Sequence, residues 1–209
     1  MKKYIFILMA VLMSGCYTEV VDNLSTFSIQ VPILFDTPFE NRSVPDTSID
    51  FTNLHKYPEY TEYKDRVQKA EILQLNYRID SLIYGDGSVF NNLDDDLEFE
   101  YIRYSFQFAN PLSFPTSPNK GDFVPDPNSP KILLGEFKNV KIKDYFRTAK
   151  HIIEVPEASA KAISDGLKSK PYFYVYTEYS RIKGQTEDEF PFDLIKAKFD
   201  VILRLEIKL

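Results

Sequence analysis

Apolar and polar residues alternate with period two along several stretches of this chain, most plainly over 195–209. Ile195, Ala197, Phe199, Val201, Leu203, Leu205, Ile207 and Leu209 share one parity, and Lys196, Lys198, Asp200, Arg204, Glu206 and Lys208 the other, with Ile202 as the exception. Successive side chains of an extended backbone point to opposite faces, so this pattern predicts a strand with one buried face. Phe27, Ile29, Val31, Ile33 and Phe35 repeat it. Pro32 within that run lacks an N–H, which predicts an edge strand or a bulge. A further strand is predicted from Leu73, Leu75, Tyr77 and Ile79, with Gln74, Asn76, Arg78 and Asp80 toward solvent. Over 97–109 the apolar parity changes: Leu97, Phe99 and Tyr101 lie on one side, Ile102, Tyr104, Phe106 and Phe108 on the other. Such a strand either bulges or is covered on both faces.

Shorter strands are predicted over 132–137, 140–142 and 151–155, and an aromatic one over 172–182. Between them the pattern breaks. Residues 36–63 dissolve into Pro, Asn, Asp, Thr and Ser, and read as a long excursion with one helical turn near 59–66. Residues 84–88, Tyr-Gly-Asp-Gly-Ser, read as a turn, where glycine supplies a positive φ. Residues 110–130 contain six prolines in 21 positions, which excludes a helix or a central strand. A loop that long is uncommon in a compact domain and is often functional or disordered. A short helix is predicted over 156–168, with Pro156 at its start and Ala160, Ile163 and Leu167 on one face. Gly166 inside it is a poor helix former. Seven to eight strands with one short helix predict an all-β fold, an antiparallel β-sandwich formed by a single domain over 26–209. An up-and-down barrel is the alternative. A transmembrane barrel is disfavoured by the small number and uneven spacing of the strands.

Composition agrees with one filled core. Of 209 residues, 44% are hydrophobic and 15% aromatic, and a chain of this length usually forms one domain. The formal net charge is −6 with no basic stripe, which argues against nucleic acid as a partner and against charge-driven adhesion to anionic lipid.

The N-terminus has its own pattern. Lys2 and Lys3 are followed by an apolar run over 4–13, then Ser14, Gly15 and Cys16, the only cysteine. This is the layout of a secretory signal, and it is too short to span a bilayer, which takes about 20 apolar residues. Met13-Ser14-Gly15-Cys16 resembles the lipobox of bacterial lipoproteins. That resemblance implies a signal peptide over 1–15, cleavage before Cys16, and lipidation of Cys16 by a thioether-linked diacylglycerol and an amide-linked acyl chain. It implies a membrane partner through that anchor. Tyr17, in place of the Asp that retains some lipoproteins at the inner membrane, favours the outer membrane. Residues 16–25 would be a lipidated tether. A single cysteine leaves the body without disulfides.

Candidate chemistry in the body is sparse. His55 and His151 lie in separate segments without metal-pair spacing. No catalytic motif surrounds a Ser or a Gly-rich loop. Asp94, Asp95 and Asp96, with Glu98 and Glu100 close behind, are oxygen ligands that calcium could use, although EF-hand spacing is missing. The plainer reading is a solvated loop before a strand, and the remaining one is a carboxylate pair for a hydrolase. Tyr57, Tyr60 and Tyr63 recur every three residues, and Tyr172, Tyr174 and Tyr176 every two. Exposed tyrosines at such spacing form platforms for sugars or for a protein partner; buried ones are packing. The expectation is a non-enzymatic lipoprotein that needs no cofactor and serves as a binding or accessory subunit of a neighbouring outer-membrane protein. Glycan capture through the tyrosines and carboxylate-dependent hydrolysis are the alternatives.

Overall fold

A computed structural model describes residues 26–40, 46–90, 97–112, 120–151, 155–183 and 192–209. Its strands are β1 (Thr26–Asp36), β2 (Phe39–Glu40), β3 (Asp46–Asn53), β4 (Val67–Ile83), β5 (Glu98–Pro111), β6 (Phe123–Pro125), β7 (Ile132–Lys141), β8 (Lys150–His151), β9 (Tyr172–Tyr179) and β10 (Leu194–Lys208). Its helices are α1 (Pro58–Tyr63), α2 (Ile142–Tyr145) and α3 (Glu157–Leu167). One sheet runs β1-β10-β4-β8, with β2 beside the start of β10. The other runs β3-β9-β5, with β7 on the far side of β5 and β6 on its end. Pairings between these strands are antiparallel. The two sheets pack face to face as a β-sandwich, as the alternation predicts.

β10 has the face assignment expected of it. Ile195, Ala197, Phe199, Val201, Leu203, Leu205 and Ile207 are all buried. β1 pairs with it residue for residue, from Thr26↔Lys208 to Asp36↔Lys198, and Pro32 sits on this edge strand as its missing N–H requires. β4 departs from the sequence reading. Leu203 pairs with Ile72 and Ile202 with Gln74, so Leu73 is an extra residue in a bulge. The bulge turns Leu73 outward, 40% exposed, and Ile72 packs on the core instead. A second bulge falls at Asp80 and returns Leu82 to the interior. In β5 the parity change is real: Phe99 and Ile102 are both fully buried. At the change the Tyr101 N–H donates to the Ser180 hydroxyl, 2.8 Å away.

Residues 36–63 are not a plain excursion: they hold β2 and β3 as well as α1. β3 pairs with β9 over Asp46↔Tyr179 to Asn53↔Tyr172. It escapes a hydrophobic reading because the row it shares with Val175 and Phe173 is Asp46, Ser48, Asp50 and Thr52. These polar residues face the seam where β3 meets the edge of the other sheet. Asp50 Oδ2 accepts the Asp36 N–H at 3.0 Å, and Asp46 Oδ2 accepts the Glu40 N–H at 2.8 Å. Carboxylates thus satisfy donors that an edge would leave open. Likewise 110–130 is not loop throughout, since β6 pairs with the end of β5. The two strands expected over 132–142 are one, β7. Of the strand expected over 151–155, Lys150 and His151 pair with β4, and 152–154 lie outside the described residues. The described residues thus hold ten strands, two of them only two residues long, and three α-helices, against the seven to eight strands and one helix expected.

The opposite side of the sandwich is closed by α3, which packs on β4 and β7 through Ile163 and Leu167. Gly166 is explained here. A methyl group at this position would overlap the ring of Phe108, which is itself buried. Three phenols among the described core residues, Tyr77, Tyr104 and Tyr179, are fully buried. Tyr179 Oη donates to the Thr37 carbonyl at 2.6 Å and lies 3.3 Å from Tyr77 Oη. Tyr104 stacks on Phe199 at 3.9 Å. Burial pushes all three phenol pKa values up, that of Tyr179 to about 12.

Leu203→Ala should destabilise the fold by roughly 2–5 kcal/mol, because the cavity left under β10 cannot collapse between two flanking strands. Gly166→Ala, normally favourable in a helix, should instead cost about 1–3 kcal/mol through overpacking against Phe108. Urea unfolding of each variant measures both effects.

Candidate functional site

The two tyrosine sets, far apart in sequence, meet in space. Three-residue spacing puts Tyr57, Tyr60 and Tyr63 on a short helical segment after β3, with Asn53 Oδ1 accepting the His55 N–H at its start (2.9 Å). Tyr60 is buried. Its ring meets His55 edge-on at 5.5 Å, and His55 meets Tyr172 at 5.7 Å. Tyr63 packs on Phe27 of β1, and Tyr57 lies half-buried beside Lys56. Burial lowers the His55 pKa, assisted by Lys64 and opposed by Asp65. This imidazole is a packing group between α1 and the start of β9.

Period-two spacing puts Tyr172, Tyr174 and Tyr176 on the outer face of β9, the face turned away from the core. They are not an open platform. Residues 120–131 fold across them as a strap. Phe123 lies against Tyr172 and Phe51, with ring centroids 4.5 and 4.7 Å apart. Tyr174 Oη donates to the Phe123 carbonyl at 2.8 Å, Tyr176 Oη donates to Gln107 Oε1 at 3.0 Å, and the Lys131 ammonium sits 3.8 Å above the Tyr176 ring. Only 6% of Tyr174 and 8% of Tyr176 remain exposed. The proline-rich segment therefore makes a second, small core on the outside of the sheet, and the tyrosines serve packing.

The strap is fastened by a residue that the sequence reading did not single out. Asp126 is buried, and its carboxylate pairs with Lys170 and accepts the Asn128 N–H at 2.9 Å. Its N–H donates to the Phe108 carbonyl at 2.8 Å, and Gln107 Nε2 donates to the Ser129 carbonyl at 2.8 Å. The Lys170 bond, then the Asn128 N–H, holds its pKa below the usual carboxylate range. The available signal was Asp126-Pro127-Asn128, a turn sequence in which Asp bonds its own backbone two residues on.

The remaining outer faces are ladders of paired charge. Arg103 bridges Glu136 (2.6 Å) and Glu178 (3.1 Å) on the uncovered half of the β5–β9 sheet. Arg78–Asp80 (2.6 Å) and Arg204–Glu71 line the other sheet. Asp200, opposite Leu34 and Asn76 on that face, is pushed up in pKa by partial burial. A groove of about 770 Å³ separates α3 from the start of β4 and is flanked by Lys69, Glu71, Lys161 and Asp165. A smaller depression of about 330 Å³ is lined by Asp36, Pro38, Glu40, Asp80, Lys196 and Lys198. Neither sets a hydroxyl or thiol against a base. Among the described residues no three His, Cys, Asp or Glu side chains form a metal cluster, and no helix is long and apolar enough to cross a membrane. Cys16 and the calcium candidates Asp94, Asp95 and Asp96 lie outside the described residues.

No protein-family model and no curated protein matches the chain. Solved structures that match in shape are viral coat assemblies. A decameric BFDV capsid protein is 8% identical, with 88% of this chain and 99% of that chain covered at a TM-score of 0.34. Turnip yellow mosaic virus is 8% identical, with 88% and 96% covered at a TM-score of 0.30. Mud crab tombus-like virus is 10% identical, with 88% and 91% covered at a TM-score of 0.28. At TM-scores this low the superpositions carry nothing about assembly over to this chain.

Asp126→Asn keeps the shape of the clasp and removes its charge. It should raise amide exchange across 120–131 at neutral pH while the central strands stay protected. A carboxylate whose folded pKa is depressed stabilises fully above its unfolded value near 3.9 and loses that contribution as pH falls through the lower, folded one. Wild type and variant should therefore converge only below about pH 4. Equal protection of the strap in the two proteins at pH 7 would show that the ion pair does not hold it.

Proposed function

We propose that this chain is a lipid-anchored, non-enzymatic accessory protein of a bacterial outer membrane, which works by binding a neighbouring membrane protein. The observation that carries the reading is Cys16: the one cysteine of the chain, placed directly after an apolar run and Ser14-Gly15. Two or more acyl chains on one residue give stable anchoring where a single chain gives only marginal binding. The tether over 17–25 is nine residues, about 30 Å at full extension, so the reachable partners are those at the same membrane surface.

The body offers surfaces rather than a reaction centre. Its outer faces carry paired charges, and the depressions among the described residues are open to solvent. Glycan capture needs open aromatic faces, and Tyr60, Tyr174 and Tyr176 are buried. Nothing in the arrangement favours it over protein binding.

Cys16→Ser should leave far-UV circular dichroism unchanged and move the protein from the membrane fraction to the soluble one. Cross-linking in intact cells should return one dominant membrane protein with the wild type. If the variant stays with the membrane and no protein is cross-linked to it, the anchor reading fails.

A further inference from the structure

Two breaks in the apolar alternation meet on the outer face of the β1–β10–β4 sheet. Ile202 is the one apolar residue in the outward row of β10 between Lys196 and Lys208. Leu73 is the residue that the β4 bulge turns outward. Register brings them together, since Ile202 pairs with Gln74 on one side and with Pro32 on the other. Leu34, two residues along β1 from Pro32, is 50% exposed. The result is an apolar patch in the middle of a sheet face, framed by charge. Toward the end of β10, Glu71 pairs with both Arg204 and Lys69. Toward its start, Asp80 pairs with Arg78 at 2.6 Å and lies 4.0 Å from Lys198. Asp200 sits on the border of the patch, opposite Leu34 and Asn76. Partial burial pushes its pKa up, and the two cations that face it, Arg78 and Lys198, are engaged by Asp80. Among the described residues its carboxylate has no ion pair.

An apolar centre inside a polar rim is the anatomy of a protein interface. The order of charge along β10 says which protein fits it. The outward row reads Lys196, Lys198, Asp200, Ile202, Arg204, Glu206, Lys208. Reversed about Ile202, this row complements itself: Asp200 falls on Arg204, and Lys198 on Glu206. Like charges meet only at the ends, Lys196 on Lys208, about 20 Å from the centre, where salt screens them. We propose that this face binds a second copy of the same chain, with the two sheets stacked and their β10 strands antiparallel about a twofold axis that passes Ile202. The axis crosses the strands in the plane between the sheets, so β1 lies over β1 and β4 over β4. Pro32, Leu73 and Ile202 of both copies make the dry centre. Asp200 gains the partner's Arg204, and symmetry makes that contact twice. The five donors of a guanidinium let Arg204 keep Glu71 while it does so. A twofold axis along the strands would instead set Asp200 on the partner's Asp200. The net charge of −6 makes copies repel in general, so a face whose own charges balance is where contact is least opposed. Three strands about 4.8 Å apart and about 36 Å long present roughly 500 Å² from each copy, about 1,000 Å² in all. That is the lower limit for a specific interface, so the dimer is expected to form at micromolar concentration. The pairing belongs to the body and does not depend on lipidation of Cys16.

Sedimentation velocity of the full-length protein in mild detergent, from low to high micromolar concentration, reads the pairing directly. The wild type should pass from monomer to dimer. Ile202→Glu places two carboxylates on the axis, and Asp200→Lys and Arg204→Glu each set like charges against each other. Each of the three should weaken the dimer by more than about tenfold, with circular dichroism unchanged because all three positions lie on the outer face. Mixed in equal amounts, Asp200→Lys and Arg204→Glu should recover the dimer, since every pair across the axis then joins opposite charges. Chance sharing of a detergent micelle would be indifferent to these substitutions. A wild type that stays monomeric, single variants that dimerise as the wild type does, or a mixture that stays monomeric overturns the proposal. So does a photo-cross-linker at position 202 that captures a different protein in cells and no second copy; that result gives the face to a heterologous partner.

Discussion

β10 is hydrogen-bonded along nearly its whole length to β1 on one side and β4 on the other. The rest of the sandwich depends on that double pairing. Seven inward side chains of β10 are buried, and the six larger than Ala197 each contribute roughly 1.5–3 kcal/mol relative to exposure. Phe199 stacks on Tyr104 of the facing sheet and so sets the contact between the layers. β4 accommodates this straight neighbour by bulging. Each bulge adds one residue to β4, flips its parity and keeps an apolar side chain against the core.

Once the centre is packed, the remaining problem is the open sides. A two-layer sandwich leaves unpaired backbone where the sheets end, and this chain closes each side by different means. Between β1 and β3, inward carboxylates of Asp46 and Asp50 take backbone N–H groups from the opposite sheet. Between β4 and β7, α3 covers the gap with Ile163 and Leu167, and Gly166 admits the Phe108 ring. On the outer face of β9, the strap buries Tyr174 and Tyr176, packs Phe123 on Tyr172 and is fastened by Asp126 and Lys170. These closures use polar groups and shape, and their cost is conformational rigidity in segments rich in proline.

The same distinction governs how much of the site could be read. The tyrosine spacings announced rows of aromatic side chains, and the rows exist. Whether a row faces a ligand or a covering segment depends on residues 120–131, which no periodicity links to 172–176. Tyr60 and Tyr172 share His55 only because β3 and β9 are neighbours, and β3 itself was hidden by its polar inward face. Asp126 had a local turn signal, but its partner Lys170 is brought near by the packing of α3.

By itself the sequence determined the strands whose apolar alternation is strong, the all-β class, the choice of edge or bulge for β1 through Pro32, and the N-terminal pattern ending at Cys16. Those features are local: each follows from side-chain periodicity or from the chemistry of one residue. Tertiary structure alone decided where β4 bulges, that Asp50 faces the neighbouring sheet, that Gly166 is required by Phe108, and that the outer tyrosines are covered. Each of these is a contact between segments distant in the chain, and its energy exists only after both segments are in place.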